Sequence, residues 1–325
     1  MRIVKWEGPP AGALQSRFSR LEARFYTGSS MTLLVTDPIF LQHVAPHHPE
    51  RPERLVAILE RFRVCGLLRL LDPLPARDAT AEELAAVHDP AYVARVRDTA
   101  ERGGGWFDAD TYVTERSWDA AVRAAGGTLA AAEALRDGRD RTAFCAVRPP
   151  GHHATPGRGM GFCLFNNAAL AARLLRRPVL IVDWDVHHGN GTQDIFAGDP
   201  LVRYVSTHRA PFYPGTGAAE ERGVGNLFNV PLPSDVSRDD FLDRFRSALE
   251  AATRGFWPET VVVSCGFDAY AHDPIGGLGL EPDDYRTMTD AVRALGAPVL
   301  SVLEGGYDLE GLGLCAEQHV RGLLA

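Results

Sequence analysis

Short apolar runs alternate with stretches of helical periodicity along most of the chain. Continuous apolar runs at 143–147, 179–183, 201–206, 260–265 and 298–302 read as strands buried on both faces. A first strand and turn open at Thr32-Leu33-Leu34-Val35-Thr36-Asp37-Pro38. Ala- and Leu-rich segments with a 3.6-residue period predict helices over 52–63, 81–87, 90–102, 115–136, 166–177, 190–197, 237–254 and 282–295. Such alternation predicts an α/β fold, a doubly wound central parallel sheet with helices on both faces. No internal repeat or linker interrupts it, so residues 31–325 are expected to form a single domain. Residues 1–30 differ in character, with Arg17, Arg20 and Arg24 among Gly, Pro and Ser. They read as a leader ahead of Met31, with a short helix over 14–25 as the competing reading.

In open α/β sheets the working site lies beyond the carboxyl ends of the strands. Polar clusters follow five of the strands here. They are Arg148-Pro149-Pro150-Gly151-His152-His153, Asp183 to His188, Ser206-Thr207-His208, Gly266-Phe267-Asp268 and Glu304-Gly305-Gly306-Tyr307. Strand alternation turns Asp183, Asp185 and His187 to one face. Buried carboxylates there are costly unless neutralised, and a divalent cation would do so. Asp185, His187 and Asp268 make a three-ligand set that leaves a position open, as catalytic rather than structural zinc sites do.

The adjacent His152 and His153 both reach one site only on an irregular backbone, which Gly151 permits. Histidine exchanges protons near neutrality, and Asp183 is placed to orient His152. Tyr307, after two glycines, offers a phenol donor for a developing oxyanion. Phe162 and Tyr213, on Gly-rich loops, could wall a slot for an alkyl chain or serve as loop anchors.

Composition narrows the setting. A net charge of −8 over 325 residues argues against a nucleic-acid binder. No apolar run approaches the roughly 20 residues of a membrane span, and no signal-peptide core is visible. Five scattered cysteines without a CxxC pair read as small apolar residues in a reducing compartment. The expected location is the cytoplasm.

From about Thr32 onward, the motif set resembles the histone deacetylase and acetylpolyamine amidohydrolase family. The resemblance rests on His-Pro-Glu-Arg-Pro-Glu-Arg at 48–54, Arg-Pro-Pro-Gly-His-His at 148–153 and Gly-Phe-Cys-Leu-Phe-Asn-Asn at 161–167. Asp-Trp-Asp-Val-His-His-Gly-Asn-Gly-Thr at 183–192, Pro-Gly-Thr-Gly at 214–217, Gly-Phe-Asp at 266–268 and Glu-Gly-Gly-Tyr at 304–307 complete it. It implies an arginase-like fold and zinc held by Asp185, His187 and Asp268, with ferrous iron as the alternative metal. It also implies a structural potassium ion on Asp183, Asp185 and Ser206, with carbonyls of His187 and Thr207. His152 and His153 would be the paired proton-transfer histidines and Tyr307 the carbonyl-polarising phenol. Phe162 and Tyr213 would line an acyl-lysine tunnel, with Gly161 and Gly305 beside it. Asp110 matches, more weakly, a rim carboxylate that grips the substrate backbone, and Arg54 an interior arginine.

Two departures matter. Asn190 stands where one branch has an aspartate partner for the second histidine, so the chain resembles the class II branch. Ile275 stands where polyamine enzymes place a glutamate, which favours acyl-lysine proteins or peptides over acetylpolyamines. The rivals are an acetylpolyamine amidohydrolase, a di-metal ureohydrolase on the same fold, and a silent acyl-lysine-binding module. No nucleic-acid or membrane partner is expected, and a homodimer or tetramer is left open.

Overall fold

The computed structural model describes residues 32–325, Arg176 excepted; the leader and its alternative helix lie outside the described residues. Every apolar run above becomes a strand, within a few residues of the expected bounds. Among the described residues the strands are β1 (Thr32–Val35), β2 (Leu71–Pro73), β3 (Gly104–Trp106), β4 (Tyr112–Thr114) and β5 (Thr142–Cys145). They continue with β6 (Val179–Asp183), β7 (Val202–Arg209), β8 (Leu227–Leu232), β9 (Thr260–Cys265) and β10 (Val299–Leu303). Eight form one sheet in the order β2-β1-β5-β10-β9-β6-β7-β8, with every neighbouring pair parallel. β3 and β4 form a separate antiparallel hairpin.

The spatial order explains why distant motifs meet. The five strands with polar ends, β5, β10, β9, β6 and β7, are consecutive in the sheet. β5, β6, β9 and β10 are buried along their whole length, as helix-covered parallel strands must be. Register sets Asp183 beside Ser206 on one side and Ser264 on the other.

The longer helices are α1 (Glu53–Val64), α3 (Pro90–Glu101), α4 (Ser117–Arg136), α5 (Asn167–Leu175), α7 (Arg238–Thr253), α8 (Pro282–Arg293) and α9 (Leu309–Leu323). Short α2 (Ala81–Leu84) and α6 (Asn190–Phe196) complete the set. They pack round the sheet in groups, α4 against α5 and α9 against α1 and α8. No described helix is long and apolar enough to cross a membrane.

The structure adds elements absent from the sequence reading. β8 is an edge strand paired only with β7, where Pro231 costs no ladder bond that a further strand would need. α9 carries Gly311, Gly313 and Gly322, which weaken its helical signal; at Gly311 any side chain would collide with the Tyr270 ring. Several helices are shorter than expected: α2 ends at Leu84 rather than 87, α5 at Leu175 rather than 177 and α8 at Arg293 rather than 295.

Candidate active site

The same-face expectation for Asp183, Asp185 and His187 requires correction. β6 stops at Asp183, so Asp185 and His187 lie in a loop. The two-residue alternation is carried instead by side-chain acceptors. Asp183 Oδ1 accepts from Asp185 N–H at 3.1 Å, and Asp185 Oδ1 from His187 N–H at 2.9 Å. These Asx-type bonds fold the loop so that the groups still converge.

Asp185, His187 and Asp268 bring one ligand atom each within 4.8 Å of one another, all three buried. His187 Nδ1 lies 3.0 Å from Asp185 Oδ1 and 3.0 Å from Asp268 Oδ2. Backbone donors hold the outer oxygens: Gly305 N–H reaches Asp185 Oδ2 at 2.8 Å, and Val186 N–H reaches Asp268 Oδ1 at 2.9 Å. A Cβ at Gly305 would collide with both carboxylates, so the close approach requires glycine.

Burial, with repulsion from Asp185, pushes the Asp268 carboxyl up to about 7. Burial opposes charge on His187, yet Asp185 and Asp268 outweigh it and hold the imidazole up to about 10. Two carboxylates and an imidazole nitrogen fit a borderline divalent metal.

His152 and His153 lie alongside, with ring centroids 4.0 Å apart. His152 Nδ1 is 3.1 Å from Asp183 Oδ2, and Tyr204 donates to that same oxygen at 2.9 Å. Burial would lower the His152 pKa, but Asp185 and Asp183 outweigh it and hold it up to about 10. His153 Nδ1–H donates to Asn190 Oδ1 at 2.8 Å, an acceptor that stays neutral. Burial, with repulsion from His152 and His187, keeps His153 well below its ordinary value, hence neutral at pH 7. Glu304 pins the double-histidine loop by accepting from Gly151 N–H at 2.7 Å and His152 N–H at 3.1 Å. Glu304 also falls with His152 and Cys163 in a second possible ligand group, but its oxygens are spent on these bonds and on Ser264.

A cavity of about 200 Å³ leads to this floor, and its lining includes Asp110, Gly161, Phe162, Tyr213, Ile275 and Tyr307. Gly305 lines it as well. The Phe162 and Tyr307 rings meet edge to face at 5.8 Å, and Tyr213 stands edge-on to His153 at 5.1 Å. Arg54, fully buried, lies 4.8 Å from the Tyr307 ring centroid. Burial, partly offset by Arg54, raises the phenol well above its ordinary value, so it remains a donor.

Ser206 adjoins Asp183 through the sheet register. His208 Nε2–H donates to Gly217 O at 3.0 Å, so its Nδ1 accepts from the Ser206 hydroxyl at 2.9 Å. Thr207 is buried with an unpartnered hydroxyl.

Four groups were missed in the sequence. Phe212 stacks on His187 at 5.1 Å, although its neighbour Tyr213 was singled out. Tyr204 could have been found, because Tyr204, Ser206 and His208 recur at the two-residue strand period. Glu304 stands out in the sequence only as the first residue of the Glu-Gly-Gly-Tyr motif. Asp273 gave no signal at all, since its role rests on backbone donors from two loops.

Comparison with known proteins defines the class. Residues 48–323 match the histone deacetylase domain model. Histone deacetylase 15 of Arabidopsis thaliana is 42% identical over 295 residues, covering 86% of this chain; the chain spans only 53% of that protein. A probable deacetylase of Archaeoglobus fulgidus is 36% identical over 300 residues, covering 86% of this chain and 82% of its own. Among solved structures, the HDA15 HD domain aligns with a TM-score of 0.86 and 39% identity, over 91% of this chain and 88% of that one. Acetylpolyamine aminohydrolase from Burkholderia pseudomallei gives 0.83 and 31%, over 90% and 98%. Fold and site therefore define a hydrolytic deacetylase of the histone deacetylase and acetylpolyamine amidohydrolase type. The chain belongs to the histone deacetylase family.

Proposed function

We propose that this deacetylase hydrolyses the side-chain amide of acetyl-lysine in proteins or peptides, with zinc held by Asp185, His187 and Asp268. The observation that carries the reading is the convergence of three metal donors at the floor of a narrow aromatic cavity whose rim bears an apolar residue, Ile275. A bound divalent cation supplies Lewis-acid polarisation of the carbonyl and acidifies a water molecule. Tyr307 donates its phenolic proton as a hydrogen bond to the acetyl oxygen, where negative charge develops. His153, with Nδ1–H committed to Asn190, takes the proton of the attacking water at Nε2. It then delivers that proton to the leaving amine, and acetate remains. His152, held by Asp183 and Tyr204, orients and stabilises charge beside it. Phe162 and Tyr213 exclude water from the alkyl chain, while Asp110 holds the substrate backbone at the rim.

The reading extends to a structural potassium ion near Asp183, Asp185, Ser206 and the His187 and Thr207 carbonyls, supported by the register of Asp183 and Ser206. It includes a cytoplasmic location, supported by five unpaired cysteines, four of them buried. Ferrous iron suits the oxygen-rich donor set as well as zinc.

A second reading, hydrolysis of acetylpolyamines, is favoured by the likeness to the Burkholderia enzyme. Ile275 opposes it, because an apolar rim offers no partner to a second cationic amine. Turnover on metal-defined enzyme separates the two. At equal concentration, acetyl-lysine peptides are expected to be hydrolysed faster than acetylpolyamines, and the reverse ranking overturns the preference. Replacing Tyr307 by Phe is expected to cost on the order of a hundredfold in kcat.

A further inference from the structure

Asp273 is buried, with 8% exposure, and its recorded partners among the described residues are backbone N–H groups rather than a cationic side chain. A buried carboxylate without a counter-ion must have its charge met by hydrogen bonds. Four backbone N–H groups do this. Oδ1 accepts from Ile275 at 2.9 Å and Gly276 at 3.0 Å. Oδ2 accepts from Tyr307 at 2.6 Å and Asp308 at 3.2 Å. A carboxylate offers about four lone-pair sites, and all of them are used.

The two pairs of donors belong to different loops. One is the rim loop after β9, which carries Ile275 and is tied to the metal-ligand segment by Gly277 N–H bonding Asp268 O at 2.7 Å. The other follows β10 and carries Tyr307. It is fixed on its near side by Gly305 N–H on Asp185, and beyond Tyr307 it enters α9, capped by Asp308. Between these anchors Gly306 turns at φ 119°, a conformation that does not by itself hold the next residue in place. Arg54 holds the Gly306 carbonyl at 2.6 Å, and the N–H bonds of Tyr307 and Asp308 to Asp273 hold the backbone on the far side of it.

We propose that Asp273 is the positioning residue of the phenol: it clamps the Tyr307 loop to the rim loop, so that the residue facing the substrate's outer end and the residue polarising its carbonyl form one rigid unit. The inference rests on the role given to Tyr307 above. Asp273 touches no substrate atom and acts only through the backbone it holds.

Asp273→Asn tests it. The amide keeps one acceptor oxygen but turns an NH2 toward one pair of N–H groups, so either the bonds to Tyr307 and Asp308 are lost or the turn that orients the Asp273 side chain within its own loop is. The expected result is a kcat lowered about tenfold, KM for an acetyl-lysine peptide within about threefold, and an unchanged metal content. In the Tyr307→Phe background, Asp273→Asn is expected to cause little further loss, since the group it positions is already gone. Losses that multiply in the double variant, or an Asp273→Asn enzyme with full kcat, overturn the clamp. Full activity of Tyr307→Phe alone sinks the role of the phenol, and the clamp with it. Should Asp273→Asn fail to fold, amide hydrogen exchange on the wild-type protein decides. Matched protection of Ile275, Gly276, Tyr307 and Asp308 is expected. A Tyr307 amide that exchanges freely while Ile275 stays protected overturns the proposal.

Discussion

Two buried charge clusters lie on either side of Tyr307, and they are satisfied in opposite ways. Beneath the phenol, Glu50 sits between two guanidiniums, Arg148 and Arg54, and all three are fully buried. Arg148 Nη2 donates to Glu50 Oε2 at 2.6 Å, Arg54 Nη1 donates to Oε1 at 3.0 Å, and Tyr112 adds a bond at 3.2 Å. The remaining guanidinium donors meet carbonyls of Phe40, His43, Gly306 and Glu304. This cluster is closed. At the strand ends, Asp185 and Asp268 each lie 3.0 Å from His187 Nδ1, Asp185 lies 3.8 Å from His152 Nε2 as well, and among the described residues no guanidinium pairs with either. The first cluster builds the floor on which the site stands. The second is the donor set proposed above to hold a metal ion.

The contrast can be broken first at the metal donors. Asp268→Asn is expected to lower deacetylase turnover by on the order of a thousandfold, through lost metal affinity and lost polarisation. The same change removes a carboxyl whose ionisation is already disfavoured, so the metal-free variant is expected to melt no lower than the metal-free wild type. Calorimetry with and without chelator checks both halves. Glu50→Gln should behave in reverse, because it leaves buried guanidiniums uncompensated. A loss of about 3–5 kcal/mol is expected in denaturant unfolding, with or without metal.

Acid sharpens the same difference. Burial would raise the Glu50 carboxyl, but Arg148 and Arg54 outweigh it and hold it at about 2, against an ordinary value of 4.5. A depressed carboxylate contributes stability that is full above the ordinary value and is lost as pH falls toward the folded one. The wild type should therefore weaken from pH 4.5 toward pH 2, and Glu50→Gln should show a shallower fall over that window. The smallest effect is at the rim. Ile275→Glu is expected to shift relative kcat/KM toward acetylpolyamines by up to about tenfold, as one exposed charge partner allows.

The sequence made the open cluster more legible than the closed one. Asp185, His187 and Asp268 follow apolar strands, and a polar group at a buried strand end stands out against its surroundings. Their convergence became intelligible only with the strand order, which places five polar-ended strands side by side. Arg54 could be read as interior, and its carboxylate partner Glu50 stands only four residues before it, but the second guanidinium, Arg148, lies 98 positions along the chain and no local pattern marks it. Tyr204 and Phe212 were within reach of periodicity and motif. Asp273 was not, since its bonds run to backbone donors 2, 3, 34 and 35 residues away, and no side-chain pattern marks them. β8 and α9 escaped for the reasons given by Pro231 and the helix glycines.

The most direct test of a single-metal deacetylase is a zinc titration of chelator-stripped protein, followed by hydrolysis of an acetyl-lysine peptide. Activity should be absent without metal and rise to a plateau at one equivalent, with Asp268→Asn showing no rise at the same concentrations. Full hydrolysis by the stripped protein, or a plateau reached only at two equivalents, would contradict it.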